Sequence, residues 1–193
     1  MSAPEPTRKE SAAPRRRLLG RVLACQRGET ILTFAYVLPI LLGLSFAILE
    51  FTLIMFDYHR AGEATRRAAR LATIVAPAAD LADLESGTVV TCTAAGGTLS
   101  CGAANVTSQQ SFDDVLAYMQ AILPGIQAAN VELTYSPSGL GDPATPGGIL
   151  PLVTVRLVGL QYAFTVLNFV PGMPAAITFP PFTTSYLASG KET

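Results

Sequence analysis

The sequence is poor in the side chains that carry chemistry. Its 193 residues include a single histidine, His59, and three cysteines. The chain has no phosphate-binding glycine loop, no His-Glu-x-x-His motif, no nucleophile elbow, and no histidine beyond residue 59 to activate a serine or cysteine. Asp113 and Asp114 are adjacent, so on a helix their carboxylates diverge by about 100°. We therefore predict no catalytic residue, no metal site, no cofactor and no small-molecule substrate.

A second absence is charge between Ile31 and Leu49. As an α-helix, these nineteen residues cover about 30 Å, which is the thickness of the hydrocarbon core of a bilayer. A secretory signal peptide has an apolar run of only about 7–15 residues followed by a cleavage site of small residues, whereas this run is longer and continues into a polar helix. The segment is therefore predicted to be a retained, single-pass membrane anchor.

The charges on either side of the anchor predict its orientation. Residues 1–28 hold seven Lys or Arg against two Glu, and basic side chains resist translocation. The N-terminus is therefore expected in the cytoplasm, where Arg15, Arg16 and Arg17 are also able to contact anionic lipid headgroups. Residues 29–193 hold six Lys or Arg against twelve Asp or Glu, so nothing there indicates nucleic-acid binding.

Three segments of different composition divide the chain. Residues 1–28 form a basic cytoplasmic leader. Residues 29–76 form the anchor and a continuing helix, because a sequence rich in Ala and Arg follows the anchor as far as Pro77, a helix breaker. Apolar positions in this continuing helix recur at three- and four-residue spacing, so they should carry an exported domain, residues 77–193. The apolar stripe consists of Ala61, Ala64, Ala68, Leu71, Ala72 and Val75.

The spacing of two cysteines predicts a disulfide. Cys92 and Cys101 flank a segment whose Gly96-Gly97 pair is able to turn the chain back on itself. Two cysteines that face each other across such a hairpin form a disulfide in an oxidising compartment, where the domain is expected. Free thiols are an alternative, and a metal pair is a weaker one because zinc needs four ligands. Cys25 precedes the anchor, on the predicted cytoplasmic side.

The exported domain is predicted to be α+β, small and rich in strands. Ser111-Phe112-Asp113-Asp114 resembles a capping box, so a helix is expected from Ser111 to about Leu123. Residues 137–151 form a loop dense in Pro and Gly, and residues 162–170 fit either a buried strand or a short helix. The predicted strands are Thr88–Thr93, Thr98–Cys101, Val131–Ser136, Leu152–Val158 and Ile177–Tyr186, the last interrupted by Pro180-Pro181.

Four residues are candidates for packing of the membrane helix: Phe34, Pro39, Gly43 and Glu50. Pro39 is able to bend the helix and Gly43 allows close approach of another helix, although both residues also occur without such a role. An unpaired carboxylate in hydrocarbon is costly, so Glu50 either pairs with a donor of another subunit or lies among the outer headgroups in contact with water. The thickness of a bilayer favours the water-exposed position, because about twenty residues separate Glu50 from Thr30.

Several stretches of the anchor and the continuing helix form a recognisable series. The stretches are Arg27-Gly28, FAYVLPILL at 34–42, Gly43, Ile48-Leu49-Glu50-Phe51 and ATRRAARLA at 64–72. This series resembles the TadE-like pseudopilins, or minor pilins, of tight-adherence (Tad/Flp, type IVb) pilus systems. The stretches correspond to the glycine junction of that family, its EFALVLPLLL run, its glutamate near the outer end of the anchor, and its helix rich in Ala and Arg. The resemblance implies a pilin-like fold whose N-terminal helix continues into the periplasm.

The resemblance also implies a place and partners for the protein. A prepilin peptidase is expected to cut between Gly28 and Glu29, after which the protein assists pilus assembly from the bacterial inner membrane, with its C-terminal domain periplasmic or extracellular. Other expected partners are pilin or pseudopilin subunits, the inner-membrane assembly platform and membrane lipid. Phe34, the sixth residue after the cut, fits the family pattern.

One departure from the family pattern leaves a second function open. Type IV-like pilins usually carry Glu at the fifth residue after the cut, where its carboxylate meets the terminal amine of a neighbouring subunit. In this chain that position is Thr33. The alternative function is an uncleaved single-pass membrane protein whose exported domain is a binding or adaptor module.

Overall fold

The computed structural model describes residues 26–82, 84, 87–141, 149–170 and 172–188. Most of the predicted basic leader, including Cys25 and the three consecutive arginines, lies outside these residues. The described chain forms one long α-helix followed by a small domain built on an antiparallel sheet, so the predicted α+β class is confirmed. The chain divides into two compact units, with the boundary between Phe46 and Ala47.

The elements follow the predicted order closely. The helices are α1 (Gln26–Ala72) and α2 (Gln109–Ile122), and two 3₁₀ turns cover Ala128–Asn130 and Leu167–Phe169. The strands are β1 (Val90–Ala95), β2 (Thr98–Ser100), β3 (Val131–Gly141), β4 (Ile149–Leu157), β5 (Gln161–Ala163), β6 (Ala176–Thr178) and β7 (Phe182–Leu187).

In the second unit, α1 buries one face against the domain. The predicted apolar stripe is confirmed as far as Ala72, since its alanines are buried and Leu71 is partly buried in the same hydrophobic core. The helix ends at Ala72 and not at the predicted residue 76, so Val75, which is also partly buried, lies beyond it. The arginines at 66, 67 and 70 are exposed, and Glu63 pairs with the first two of them at 3.7 and 2.6 Å. The fully buried positions of this face are Ala61, Ala64, Thr65, Ala68 and Ala69.

The main sheet has five antiparallel strands in the order β2-β1-β3-β4-β7. Alternate residues along its strands are buried, as expected when only one face of a sheet covers a core. The buried side chains share one core with the alanines of α1 and with three residues of α2. They are Val90, Cys92 and Ala94 in β1, Val131, Leu133 and Tyr135 in β3, and Val153, Val155 and Leu157 in β4.

The opposite face of the sheet is polar, and neighbouring strands are joined there by side chains. Thr91 and Thr134 lie 3.2 Å apart, and Thr154 and Ser185 lie 2.7 Å apart, each pair sharing one hydrogen bond. The Arg156 guanidinium donates to the Glu132 carboxylate at 3.1 Å. These cross-strand pairs fix the register, because a shift by one residue would place them in the core.

The helix α2 begins at Gln109, two residues before the predicted start at Ser111. Ser108, not Ser111, is the N-cap, and its hydroxyl accepts a hydrogen bond from the Ser111 N–H at 3.2 Å. Ser111 lies inside the first turn and is buried. The capping-box prediction was wrong because serine three residues before an acidic residue fits the pattern at 111, whereas burial of Phe112 and Val115 sets where the helix starts.

Two other sequence predictions need correction. The predicted loop at 137–151 is shorter, because β3 and β4 continue into it and pair as far as Gly141 with Ile149. The predicted strand at 177–186 is two strands, β6 and β7, which belong to different sheets on either side of Pro180-Pro181. The undecided segment 162–170 is the end of β5 followed by a 3₁₀ turn. The content of Pro and Gly therefore overestimated the length of the loop between β3 and β4.

We expect the domain to lose stability at alkaline pH, because Tyr135 has a buried phenol. Its ring is 1 % exposed and its hydroxyl accepts a hydrogen bond from the Ala78 N–H at 3.0 Å. Burial raises the pKa of Tyr135 above its ordinary value. Above about pH 10 the unfolded chain releases this proton while the folded chain retains it, so the free energy of unfolding falls as pH rises toward the folded pKa.

The comparison between wild type and Tyr135→Phe measures this effect. Denaturant unfolding in detergent at several pH values above about 10 should give a shallower loss for the variant, by up to about 1.4 kcal/mol per pH unit, the value of one proton. The variant is expected to be less stable at neutral pH, since the Ala78 N–H loses its acceptor. Parallel slopes for the two proteins would show that Tyr135 does not titrate differently on folding.

Candidate functional site

The first part of α1 is long and apolar enough to cross a membrane. All its large hydrophobic side chains from Ile31 to Leu49 are exposed, Phe34 by 62 % and Ile40 by 73 %. A continuous apolar surface of this length requires lipid or other apolar partners. The helix therefore indicates a single-pass membrane protein.

Three of the predicted packing residues lie in this part of α1. Phe34 is exposed, Pro39 lies within the helix, and a Cβ added at Gly43 would meet no atom within 4 Å. These surfaces are open to lipid or to another helix, so their role in packing stays a prediction. Gly28 and Glu29 lie in the first turn of α1, and cleavage between them also stays a prediction.

Glu50 has a different environment from the one predicted. Its side chain is 4 % exposed, so the favoured water-exposed position is wrong. The carboxylate accepts hydrogen bonds from three consecutive backbone N–H groups, those of Thr165, Val166 and Leu167. The Val166 bond is 3.2 Å and the Leu167 bond is 2.8 Å. A single carboxylate thus satisfies three donors from its own chain, and needs none from another subunit.

The three donors belong to the tip of a small hairpin. The strands β5 and β6 pair with each other and form a second sheet, apart from the main one. A hydrogen bond from the Phe164 N–H to the Ala175 carbonyl, 2.9 Å long, closes the base of the tip. We call residues 164–170 and 172–175 the hairpin tip. A turn of this kind leaves backbone N–H groups without carbonyl partners, and Glu50 is the acceptor that completes it.

Tyr162, on β5, lies within the electrostatic reach of the helix. Burial raises the pKa of the Tyr162 phenol, and the negative charges of Glu50 and Asp57 raise it further. The phenol is therefore neutral at physiological pH and adds no charge beside the Glu50 carboxylate. Its ring stands 6.2 Å from the ring of Phe164 in an edge-to-face arrangement, which extends the apolar side of the hairpin.

An aromatic cluster fixes the helix against the start of β7, next to the hairpin. The Tyr58 ring lies 4.9 Å from the Phe182 ring and 5.8 Å from the Phe179 ring. A Cβ added at Gly62, one turn further along the helix, would lie 3.9 Å from Phe182, so the helix and β7 are close there. The guanidinium of Arg60 lies 5.3 Å from the centre of the Phe56 ring. Aromatic side chains thus follow Glu50 along the helix.

The predicted disulfide is present. Cys92 and Cys101 are bonded to each other, and both are buried. Gly96 and Gly97 both have positive φ, 59° and 85°, which a two-residue hairpin turn requires and which glycine adopts without strain. Pairing of Thr93 with Ser100 in the β1–β2 register then places the two cysteines opposite each other.

The described residues offer no obvious metal site. Within the described ranges, no group of three or more His, Cys, Asp or Glu side chains lies close enough together to hold a metal ion. Asp113 and Asp114 are exposed on α2, and Asp114 accepts a hydrogen bond from Gln110 at 2.8 Å. Absence of catalysis remains a prediction. The feature that the geometry does build is the buried Glu50 carboxylate with its three donors.

One protein-family model matches the part of the chain that holds the membrane helix and Glu50. Residues 28–70 match the model of the TadE-like protein family. The comparisons with curated proteins and with solved structures gave no match. The TadE-like segment begins at Gly28 and includes Glu50, so the family resemblance inferred from the sequence is confirmed over the helix. The match covers residues 28–70 of the 193 and shows a likeness to TadE-like proteins over this helix.

The TadE-like segment supplies only half of the Glu50 site. Its carboxylate lies within residues 28–70, whereas its three donors lie more than a hundred residues later, outside the matched segment. Sequence reasoning selected Glu50 and missed its partners, because backbone N–H groups have no residue code. The available signal was the absence of charged side chains from Leu157 to Gly190, which allows this late segment to pack against an apolar helix without burying a charge.

Proposed function

We propose that this chain is a TadE-like pseudopilin or minor pilin that assists assembly of a tight-adherence (type IVb, Flp) pilus. The observation that carries the proposal is the TadE-like match, which begins at Gly28 and runs through the membrane helix into the helix that carries the domain. Three features support it: an exposed apolar helix, a disulfide-closed hairpin suited to an oxidising compartment, and basic residues before the helix.

In this proposal the protein is anchored in the bacterial inner membrane. Residues 1–28 are a cytoplasmic leader, residues 29–76 the anchor and continuing helix, and residues 77–193 the periplasmic or extracellular domain. A prepilin peptidase removes the leader after Gly28. The apolar side of the helix, with Phe34, Pro39 and Gly43, then packs against other pilin or pseudopilin subunits and the assembly platform.

The N-terminal residue of the protein purified from the native membrane tests this proposal. A chain that begins at Glu29 is the expected result. A chain that retains residues 15–28 would contradict processing and favour the alternative, an uncleaved single-pass protein with an adaptor domain. Thr33 is the observation that favours this alternative, since the resemblance calls for Glu at that position.

A matched pair of glycine variants tests the cleavage site itself. Gly28→Val should accumulate as the uncut chain, because the peptidase is expected to require a residue without a side chain before the cut. Gly43→Ala lies in the same helix with open space for its Cβ and should be cut like wild type. The two forms differ by 28 residues and separate by mass. Cutting of Gly28→Val at the wild-type rate would exclude Gly28 as the recognition residue.

A further inference from the structure

The level of the hairpin tip along α1 is set by its hydrogen bonds to Glu50. Ile31 to Leu49 cover the hydrocarbon core, and the headgroup layers bring a bilayer to about 40–45 Å, which adds about 5–7 Å on each side. At about 1.5 Å per residue, the outer headgroup layer then covers about four residues beyond Leu49. Glu50 is the first of these residues, so a tip bonded to Glu50 lies at the same level.

The helix itself is apolar at this level. Phe51 and Leu53 lie within these four residues and are exposed by 62 and 56 %. Met55 and Phe56 continue the apolar surface just beyond them and are exposed by 41 and 57 %. From Ile31 to Phe56 the only charged side chain is Glu50, and its charge is covered by the tip. An apolar environment beside the tip, which is the condition at the boundary between acyl chains and headgroups, would suit this part of the helix.

The surface of the hairpin suits the same environment. Val170, Met173 and Ile177 are exposed by 47, 43 and 42 %. No Asp, Glu, Lys or Arg occurs between Leu157 and Gly190, so no charged side chain of the hairpin loses water when it enters the headgroup layer. The donors of Thr165, Val166 and Leu167, which would be costly in an apolar medium, already have the Glu50 carboxylate as acceptor.

We propose that the hairpin tip, together with Ile177 on the adjoining strand β6, is a second membrane contact, which inserts Val170, Met173 and Ile177 into the outer headgroup layer of the bilayer that α1 spans. Its ligand is the lipid interface, recognised by apolar burial rather than by charge. The inference rests on the membrane anchorage in the proposed function and not on the pilus role. The domain would thereby be held against the membrane at two points, the helix and the tip.

The chain contains no tryptophan, so a single introduced tryptophan reports its own environment. Met173→Trp places it on the hairpin tip, and Ile177→Trp places it on β6 beside the tip. Tyr118→Trp is the matched control, because Tyr118 lies on α2 with the same 43 % exposure as Met173. The full-length variants are reconstituted into phosphatidylcholine–phosphatidylglycerol vesicles, whose lipids carry bromine at defined acyl positions. Flotation of the vesicles first establishes that each variant is incorporated, and circular dichroism that it is folded.

We expect blue-shifted tryptophan emission for Met173→Trp and for Ile177→Trp. Lipids brominated near the headgroups should quench most of this emission. Tyr118→Trp should keep its emission in the same vesicles. If Met173→Trp and Ile177→Trp float and are folded but are not quenched, the tip contact is contradicted. This holds even if their emission is blue-shifted, because contact with a second copy of the chain would shift the emission without bringing the tryptophan to the bromine. Failure of the chain to float would contradict the anchorage in the proposed function and the tip contact with it.

Discussion

Replacing Glu50 by Leu should release the hairpin tip from α1. The three N–H groups of Thr165, Val166 and Leu167 lose their acceptor while the apolar contacts of the helix remain. We expect their amide hydrogen exchange to become about ten- to a hundredfold faster, the factor that corresponds to one hydrogen bond to a charged group. Hydrogen–deuterium exchange of peptides that cover residues 164–170, measured in detergent micelles, gives the rate directly.

Two further variants isolate the cause of this change. Glu50→Gln keeps one carbonyl acceptor of similar shape, so its exchange should fall between wild type and Glu50→Leu. Glu63→Leu removes another glutamate of the same helix, whose partners Arg66 and Arg67 are exposed, and should leave exchange in the tip unchanged. If the tip amides of Glu50→Leu exchange as slowly as those of the wild type, packing alone holds the tip. Exchange that rises equally in Glu63→Leu would point to a general loosening of the helix.

Removal of the disulfide should destabilise the main sheet. Cys92→Ala with Cys101→Ala opens a short loop, which lowers the free energy of unfolding by about 2–3 kcal/mol in the chain-entropy model. Both cysteines are buried, so alanine is a better replacement than serine, which would bury a hydroxyl group. Urea unfolding of the detergent-solubilised protein, followed by far-ultraviolet circular dichroism, measures the loss.

The remaining cysteine supplies the control for the disulfide. Cys25→Ala leaves the Cys92–Cys101 bond in place and should unfold like wild type. Reduction of Cys25→Ala should bring its stability down toward that of the double alanine variant, since the bond is then the only difference that reduction makes. An equal urea midpoint for the oxidised protein and the double variant would mean that the hairpin is held by its turn and its strand pairing alone.

The parts of the fold that could be predicted depend on short-range patterns. The buried alanines of α1 repeat at helical spacing, and the β1–β2 hairpin has Gly96-Gly97 between two cysteines, so each signal lies within a few residues. The start of α2 was harder, because Ser108 and Ser111 both suit an N-cap and only tertiary burial distinguishes them. The local sequence pattern thus predicts that a helix is present, whereas its first residue depends on which side chains are buried in the core.

The Glu50 site could be predicted only in part. Its donors are separated from it by 115 residues or more in the chain, and any non-proline residue supplies the same backbone N–H. Bilayer thickness placed Glu50 near the outer headgroups and therefore favoured contact with water. The hairpin excludes that water, and nothing local to Glu50 encodes a hairpin that returns from the far end of the domain. A local sequence pattern therefore does not identify which distant backbone N–H groups a side chain will bind.

The alanine face of α1 limits how this protein is able to change over evolutionary time. Ala61, Ala64, Ala68 and Ala69 have no exposed surface, so a larger side chain at any of them would push the helix away from the sheet. In the strands, by contrast, Leu and Ile are able to exchange at nearly equal volume, and a change at Val is able to be offset by a neighbouring side chain. Lineages that diverge should therefore retain a recognisable helix long after the sheet has lost its similarity, in agreement with a family match confined to residues 28–70.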